Sequence, residues 1–192
     1  MKQLAQQHAD WVVFDQDECW FSRCVAPGGA AWTAERVPRR VERDNRGVKA
    51  LTCYGALRAG TQQVYLGFCD QHPTSEVTWE FLTGLLALAR QKGWKVVVLI
   101  WDNAGWHLST RLRAWIRAYN QQAKRTGDVR LLTWLLPRKS PWLNPIEPHW
   151  LHAKRATWEP NAVLSLPDLK GRLCTYFGVQ PSSLPFQLCV PS

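Results

Sequence analysis

The sequence predicts a single α/β domain with a mixed sheet, an antiparallel three-strand meander followed by parallel strands, flanked by helices. Three observations predict it. Residues 95–101 (KVVVLIW) are apolar without alternation, the mark of a strand covered on both faces. Two further β-rich runs, 49–57 and 62–69, are joined by Arg58-Ala59-Gly60-Thr61, a hairpin connection. Helical patterns at 75–92 and 109–125 then alternate with strands. A chain of 192 residues can bury one sizeable core but not two.

Residues 1–10 are polar and read as a connection. Trp11-Val12-Val13-Phe14 is β-branched and aromatic, so it forms the first buried strand, ending in Asp15-Gln16-Asp17-Glu18. Acids that follow a buried strand cannot face the core and are expected at the rim of the sheet, where α/β proteins build sites. From 21 to 48 the chain is irregular and carries Arg36, Arg39, Arg40 and Arg43, an excursion long enough to be functional. After the hairpin, Thr74 or Ser75 caps a helix whose apolar positions include Phe81, Leu82, Leu85 and Leu86, and Gly93 ends it. The strand 95–101 closes on Asp102-Asn103. A basic amphipathic helix and a strand over 129–136 follow. In Ser-Pro-Trp-Leu-Asn-Pro-Ile-Glu, residues 140–147, the prolines keep the preceding backbone extended. A helix then starts with Asn144 as N-cap, Pro145 in the first turn and Glu147 three residues after the cap. A last helix covers 166–177, and 178–192 is a proline-punctuated tail. The domain proper is thus 11–177.

The formal charge of +9 and pI near 9.6 call for a polyanionic partner, nucleic acid before any other. No long apolar run or signal-like start points to a membrane, so a cytoplasmic protein is expected. Six cysteines without a Cys-x-x-Cys pair read as reduced, mostly buried thiols. Twelve tryptophans at irregular spacing read as core filler.

This element order sets one acid at the first strand, one after the central parallel strand and one on a late helix, the layout of a ribonuclease-H-like fold. Three converging carboxylates repel one another unless cations neutralise them. Magnesium takes such oxygen ligands and shares phosphate oxygens with a substrate. Acids plus a basic surface therefore read as phosphodiester chemistry. Without metal, at least one of the acids should have its pKa raised.

Asp17-Glu18, the run from Ile100 to His107 and the run from Ser140 to Trp150 resemble the catalytic domain of DDE transposases, in particular the bacterial insertion-sequence branch (IS six-thirty) of the mariner superfamily. The third run is the most specific. The resemblance implies magnesium or manganese, two ions, held by Asp17, Asp102 and Glu147 as catalytic residues, with Asp15 as runner-up to Asp17. It also implies cleavage and strand transfer at transposon ends in double-stranded DNA, within a homodimer, in a bacterial cytoplasm or on the nucleoid. Glu18, Asn103, His107 and Asn144 fall in or beside the motifs and are expected to support the acids, His107 by touching substrate or a metal-bound water. Arg36, Arg39, Arg40, Arg43, Arg111, Arg113, Lys139, Lys154 and Arg155 are the candidate phosphate contacts. The 44 residues between Asp102 and Glu147 are more than the wider superfamily usually has. The resemblance also implies helix-turn-helix modules, for which there is no room before Trp11, so the chain is expected to be a catalytic domain alone, a truncated or split product, or an inactive DNA-binding or assembly remnant; a structure-specific nuclease of the same fold is the other alternative.

Overall fold

The computed structural model describes residues 7–24, 49–157, 159, 162–180 and 188–191. Arg36, Arg39, Arg40 and Arg43 lie outside the described residues. Among the described residues five strands, β1 (Trp11–Ser22), β2 (Ala50–Arg58), β3 (Val64–Cys69), β4 (Val96–Trp101) and β5 (Arg130–Leu135), form one sheet in the order β3-β2-β1-β4-β5. β1, β2 and β3 pair antiparallel, while β4 runs parallel to both β1 and β5. All six residues of β4 are buried, as their unbroken apolar run requires.

Among the described residues four α-helices flank the sheet: α1 (Ser75–Gln91), α2 (Thr110–Thr126), α3 (Glu147–Ala156) and α4 (Leu166–Phe177). The side chains of Thr74, Ser109 and Ser165 cap α1, α2 and α4. α1 and α2 cover one face, where Phe81, Leu82, Leu85 and Leu112 pack on Phe14, Tyr54, Val97 and Leu99. α3 and α4 cover the other, where Ile146, Trp150, Leu169 and Leu173 pack on Cys19, Phe21, Cys53 and Leu66. Beyond α4, Cys189 exchanges two backbone hydrogen bonds with Leu66 of β3.

Three expectations need correction. β1 does not end at Phe14 but runs through all the acids to Ser22. Its pairing with β4 stops at Asp15, whereas β2 continues to pair with it as far as Ser22, and that antiparallel ladder keeps the acids extended. The tryptophans are not all core: Trp20, Trp79, Trp134 and Trp142 are exposed. The backbone before Leu143 is not extended throughout, because Pro141–Leu143 makes a 3-10 turn; Ser140 and Asn144, each preceding a proline, do avoid helical angles.

Candidate active site

Side chains alternate along a strand, so Asp15, Asp17, Cys19 and Phe21 share the face covered by α3, and Glu18 points to the other. Asp17 pairs in register with Gly55 of β2. A Cβ on Gly55 would stand 2.4 Å from Cη2 of Trp150 and 2.8 Å from Cδ1 of Ile146. The missing side chain therefore makes room for the indole, and Trp150 Nε1 donates to Asp17 Oδ2 at 3.0 Å. Helix α3, which carries Trp150, begins with Glu147, so Glu147 is brought in by the same packing.

The start of α3 is not the expected capping box. Asn144 makes no side-chain cap; its Nδ2 donates to the backbone oxygen of Gln16 at 3.1 Å, and the residue is buried. Asn144 thus ties the turn before α3 to β1. Pro148, not Pro145, occupies the first turn, and Ile146 takes the N-cap position. A tertiary partner has displaced the local one.

Asp102 follows β4 directly, at the rim of the sheet. Its Oδ1 accepts from the backbone N of Ala104 and from His107 Nδ1, each at 2.9 Å. The other ring nitrogen of His107, Nε2, lies 3.0 Å from Glu18 Oε1, and Trp106 Nε1 donates to Glu18 Oε2 at 3.2 Å. The imidazole is buried and stacked on Trp101 with ring centroids 4.4 Å apart. His107 is therefore a bridge between two carboxylates, a role that sequence reasoning, which offered contact with substrate or a metal-bound water, did not find. Asn103 donates to the backbone oxygen of Leu136 at 2.6 Å and so holds the chain leaving β5.

Asp17, Asp102 and Glu147 line one cleft of about 380 Å³, together with Arg138, Lys139 and Asn144. The same three acids border a second cleft of about 580 Å³, walled by Trp20, Trp106 and Lys154. Asp15 lies in neither; it borders a separate cleft with Arg58 and His149. Among the described residues no three His, Cys, Asp or Glu side chains stand close enough, as placed, to hold a metal ion together. Arg111 is paired with Glu76 and Arg113 donates to the oxygen of Leu108, so these two cations already have protein partners. Lys154 and Arg155 are exposed.

The electrostatics separate the acids. Burial first, then the negative charges of Glu147 and Glu18, push the Asp17 carboxyl up to about 8. Asp102 is held below the ordinary carboxylate range, chiefly by its hydrogen bond from His107. For His107, burial opposes the charge, but the bonds to Asp102 and Glu18 outweigh it and push the imidazole up to about 9. The repulsion expected of clustered acids therefore falls on Asp17, next to Glu147, while Asp102 is neutralised by its cationic neighbour. A site with one carboxyl this reluctant to ionise favours any positive charge placed beside it. Its oxygen-only donors suit a hard divalent cation.

The DDE superfamily endonuclease family matches residues 10–170. No curated protein matches the chain. Among solved structures it is similar to a Mos1 transposase paired-end complex with left transposon end, at 14% identity and a TM-score of 0.60, over 93% of this chain and 52% of that one. It is also similar to a Mos1 mariner paired end complex with Mn, at 18% identity and a TM-score of 0.58, over 92% and 52%. The corresponding complex with Mg gives 13% identity and 0.56, again over 92% and 52%. The chain thus spans about half the length of those it matches, and the likeness is one of fold: the mixed five-stranded sheet with its flanking helices is similar to the ribonuclease-H-like fold of that transposase.

Proposed function

This chain belongs to the DDE superfamily endonucleases, and from that premise we propose that it is the catalytic domain of a DNA transposase of the insertion-sequence branch. It cleaves DNA strands at transposon ends and joins them to target DNA, with two divalent cations held by Asp17, Asp102 and Glu147. The observation that carries this reading is that these three acids, from β1, the end of β4 and the start of α3, border one cleft that Arg138 and Lys139 also line. When bound, magnesium or manganese would neutralise phosphate charge and activate a water or a 3′ hydroxyl for in-line displacement. The chain's own residues orient the acids. Trp150 fixes Asp17, and His107, itself anchored on Glu18, engages Oδ1 of Asp102, which leaves the second oxygen for a cation. Arg138 and Lys139 attract the phosphate backbone without reading sequence. The partner is double-stranded DNA, the working form is a dimer, and the compartment is the bacterial cytoplasm. Among the described residues no helix is long and apolar enough to cross a membrane.

Nicking of an end-labelled duplex with magnesium or manganese tests the proposal. The parent protein should cut and Glu147→Gln should not; equal rates in both, or cutting that survives chelation, overturn it. A second reading, a DNA-binding module that keeps the fold without the activity, is favoured by one observation: the three acids are not assembled as a ready cage. Binding of DNA without cutting in either metal would establish that reading instead.

A further inference from the structure

We infer that Trp142 is a stacking platform for a nucleobase beside the reacting phosphate; the inference rests on the DNA-cleaving reading above. Trp142 is 76% exposed, more than any other large hydrophobic residue described. An exposed indole costs solvation and needs a reason, and flexibility does not supply one here. It sits in the 3-10 turn Pro141–Leu143, none of whose residues is buried, so the turn is not a piece of core that failed to pack. The turn is nevertheless held at three points. Leu143 N donates to Ser140 O at 3.1 Å and Asn144 N to Pro141 O at 2.8 Å, while the buried Asn144 side chain is clamped to β1 at Gln16.

Three residues beyond that clamp is Glu147, so the position of Trp142 is coupled to that of the acid. On its other side are Arg138 and Lys139, which line the acid cleft; Lys139 has φ 56°, a sharp left-handed bend that ends the run from β5. An exposed π-surface on a hydrogen-bonded turn, next to Pro141 of the acid cleft and three and four residues after the cleft cations Lys139 and Arg138, matches the chemistry of a nucleotide: phosphate for the cations, base for the ring. A protein partner would use the apolar surface of Trp142 and Leu143 but not the cations. Stacking is tolerant of sequence because every base has a π-face, so the platform fits a site that must hold a strand end without reading it.

The test uses a short duplex carrying 2-aminopurine as the base next to a nick, with calcium in place of magnesium so that binding occurs without cutting. Trp142→Ala should melt with the parent, since the ring is exposed, yet bind this duplex about 5- to 150-fold more weakly. The 2-aminopurine emission, quenched on binding the parent, should stay near the free level. Trp142→Phe should keep most of the affinity, and Asp102→Asn, which lacks an acid and keeps the platform, should quench as the parent does. The inference is overturned if Trp142→Ala binds and quenches like a parent that cleaves DNA with magnesium; in that case only the platform fails and the enzyme reading stands. It is also overturned if Trp142→Ala changes the oligomeric state in sedimentation while leaving emission unaltered, which assigns the ring to a contact between copies of the chain. If the parent neither binds nor cuts, both readings fall.

Discussion

Replacing Gly55 by alanine tests whether the first acid is positioned by packing. The added methyl would meet Trp150 at 2.4 and 2.6 Å and Ile146 at 2.8 Å, so the indole must withdraw by about an ångström. Trp150 is buried, only 3% exposed, and its ring packs against Phe21 and Phe177, with ring centroids 6.1 and 5.7 Å away. Overpacking of this kind costs about 1–3 kcal/mol. Withdrawal also breaks the bond from Nε1 to Asp17, and a hydrogen bond to a carboxyl adds about 1.5–3 kcal/mol when that carboxyl is ionised. Asp17 is mostly protonated without metal, so the smaller value of about 1 kcal/mol for a neutral pair applies, and the sum is about 2–4 kcal/mol. For a domain of this size each kcal/mol moves Tm by about 2–4 °C, giving a fall of roughly 5–15 °C by differential scanning calorimetry. Because Ile146 precedes Glu147, nicking activity should fall further than stability alone explains, at a temperature where the variant is folded. In a Trp150→Phe background, where the clashing ring edge is gone, Gly55→Ala should cost at least 1 kcal/mol less. A Gly55→Ala protein within about 0.5 kcal/mol of the parent, or a cost unchanged by Trp150→Phe, would refute the reasoning.

With metal chelated, Asp17 holds a proton in the folded state up to about pH 8 and gives it up near 3.8 when unfolded, so its contribution to stability is complete below 3.8 and lost as pH rises through about 8. Urea titrations should therefore show parent stability falling across that window and Asp17→Asn falling much less; parallel curves would count against the raised pKa. Magnesium at about ten times its Kd should add about 1.4 kcal/mol to the parent, seen as a rise in Tm, and Asp102→Asn should lose most of that response; an equal rise in both would remove Asp102 from the cation site. Asp102→Asn should also destabilise the metal-free protein, because it deprives the buried His107 of an anionic partner; a stability equal to the parent's would show that Glu18 alone satisfies the ring. If Arg138, Lys139, Lys154 and Arg155 meet phosphates, the logarithm of DNA affinity should fall with the logarithm of salt at a slope of about −3 to −4, and Lys139→Ala should shallow it by about 1. A flat titration would mean that the basic surface faces something else. Arg111→Ala, which breaks a pair with Glu76, should change that slope little.

What was legible from sequence was whatever short-range chemistry decides. The unbroken apolar run of β4 could only be a strand covered on both faces. The capping hydroxyl at 74 and the glycine at 93, with its positive φ, mark the limits of α1 within a residue or two. The three acids are candidates from sequence because each sits next to such a local signal and because the runs around them resemble a known family. What the tertiary structure decided lies between residues far apart in the chain. β1 passes through its acids instead of stopping before them, because β2 supplies a ladder that the local sequence does not announce. Asn144 reads locally as a cap, yet its side chain is taken by Gln16, 128 residues away, since a buried amide group must find a partner and the β1 carbonyl is the one within reach. Gly55 looks like an ordinary strand glycine until Trp150 is packed against it, and His107 looks like a catalytic histidine until Glu18 and Asp102 are found on its two nitrogens. Backbone propensity and capping act over a few residues and so are written in the sequence locally; which buried polar groups pair, and where a side chain must be absent for another to enter, depends on surfaces that exist only once the sheet and helices have come together.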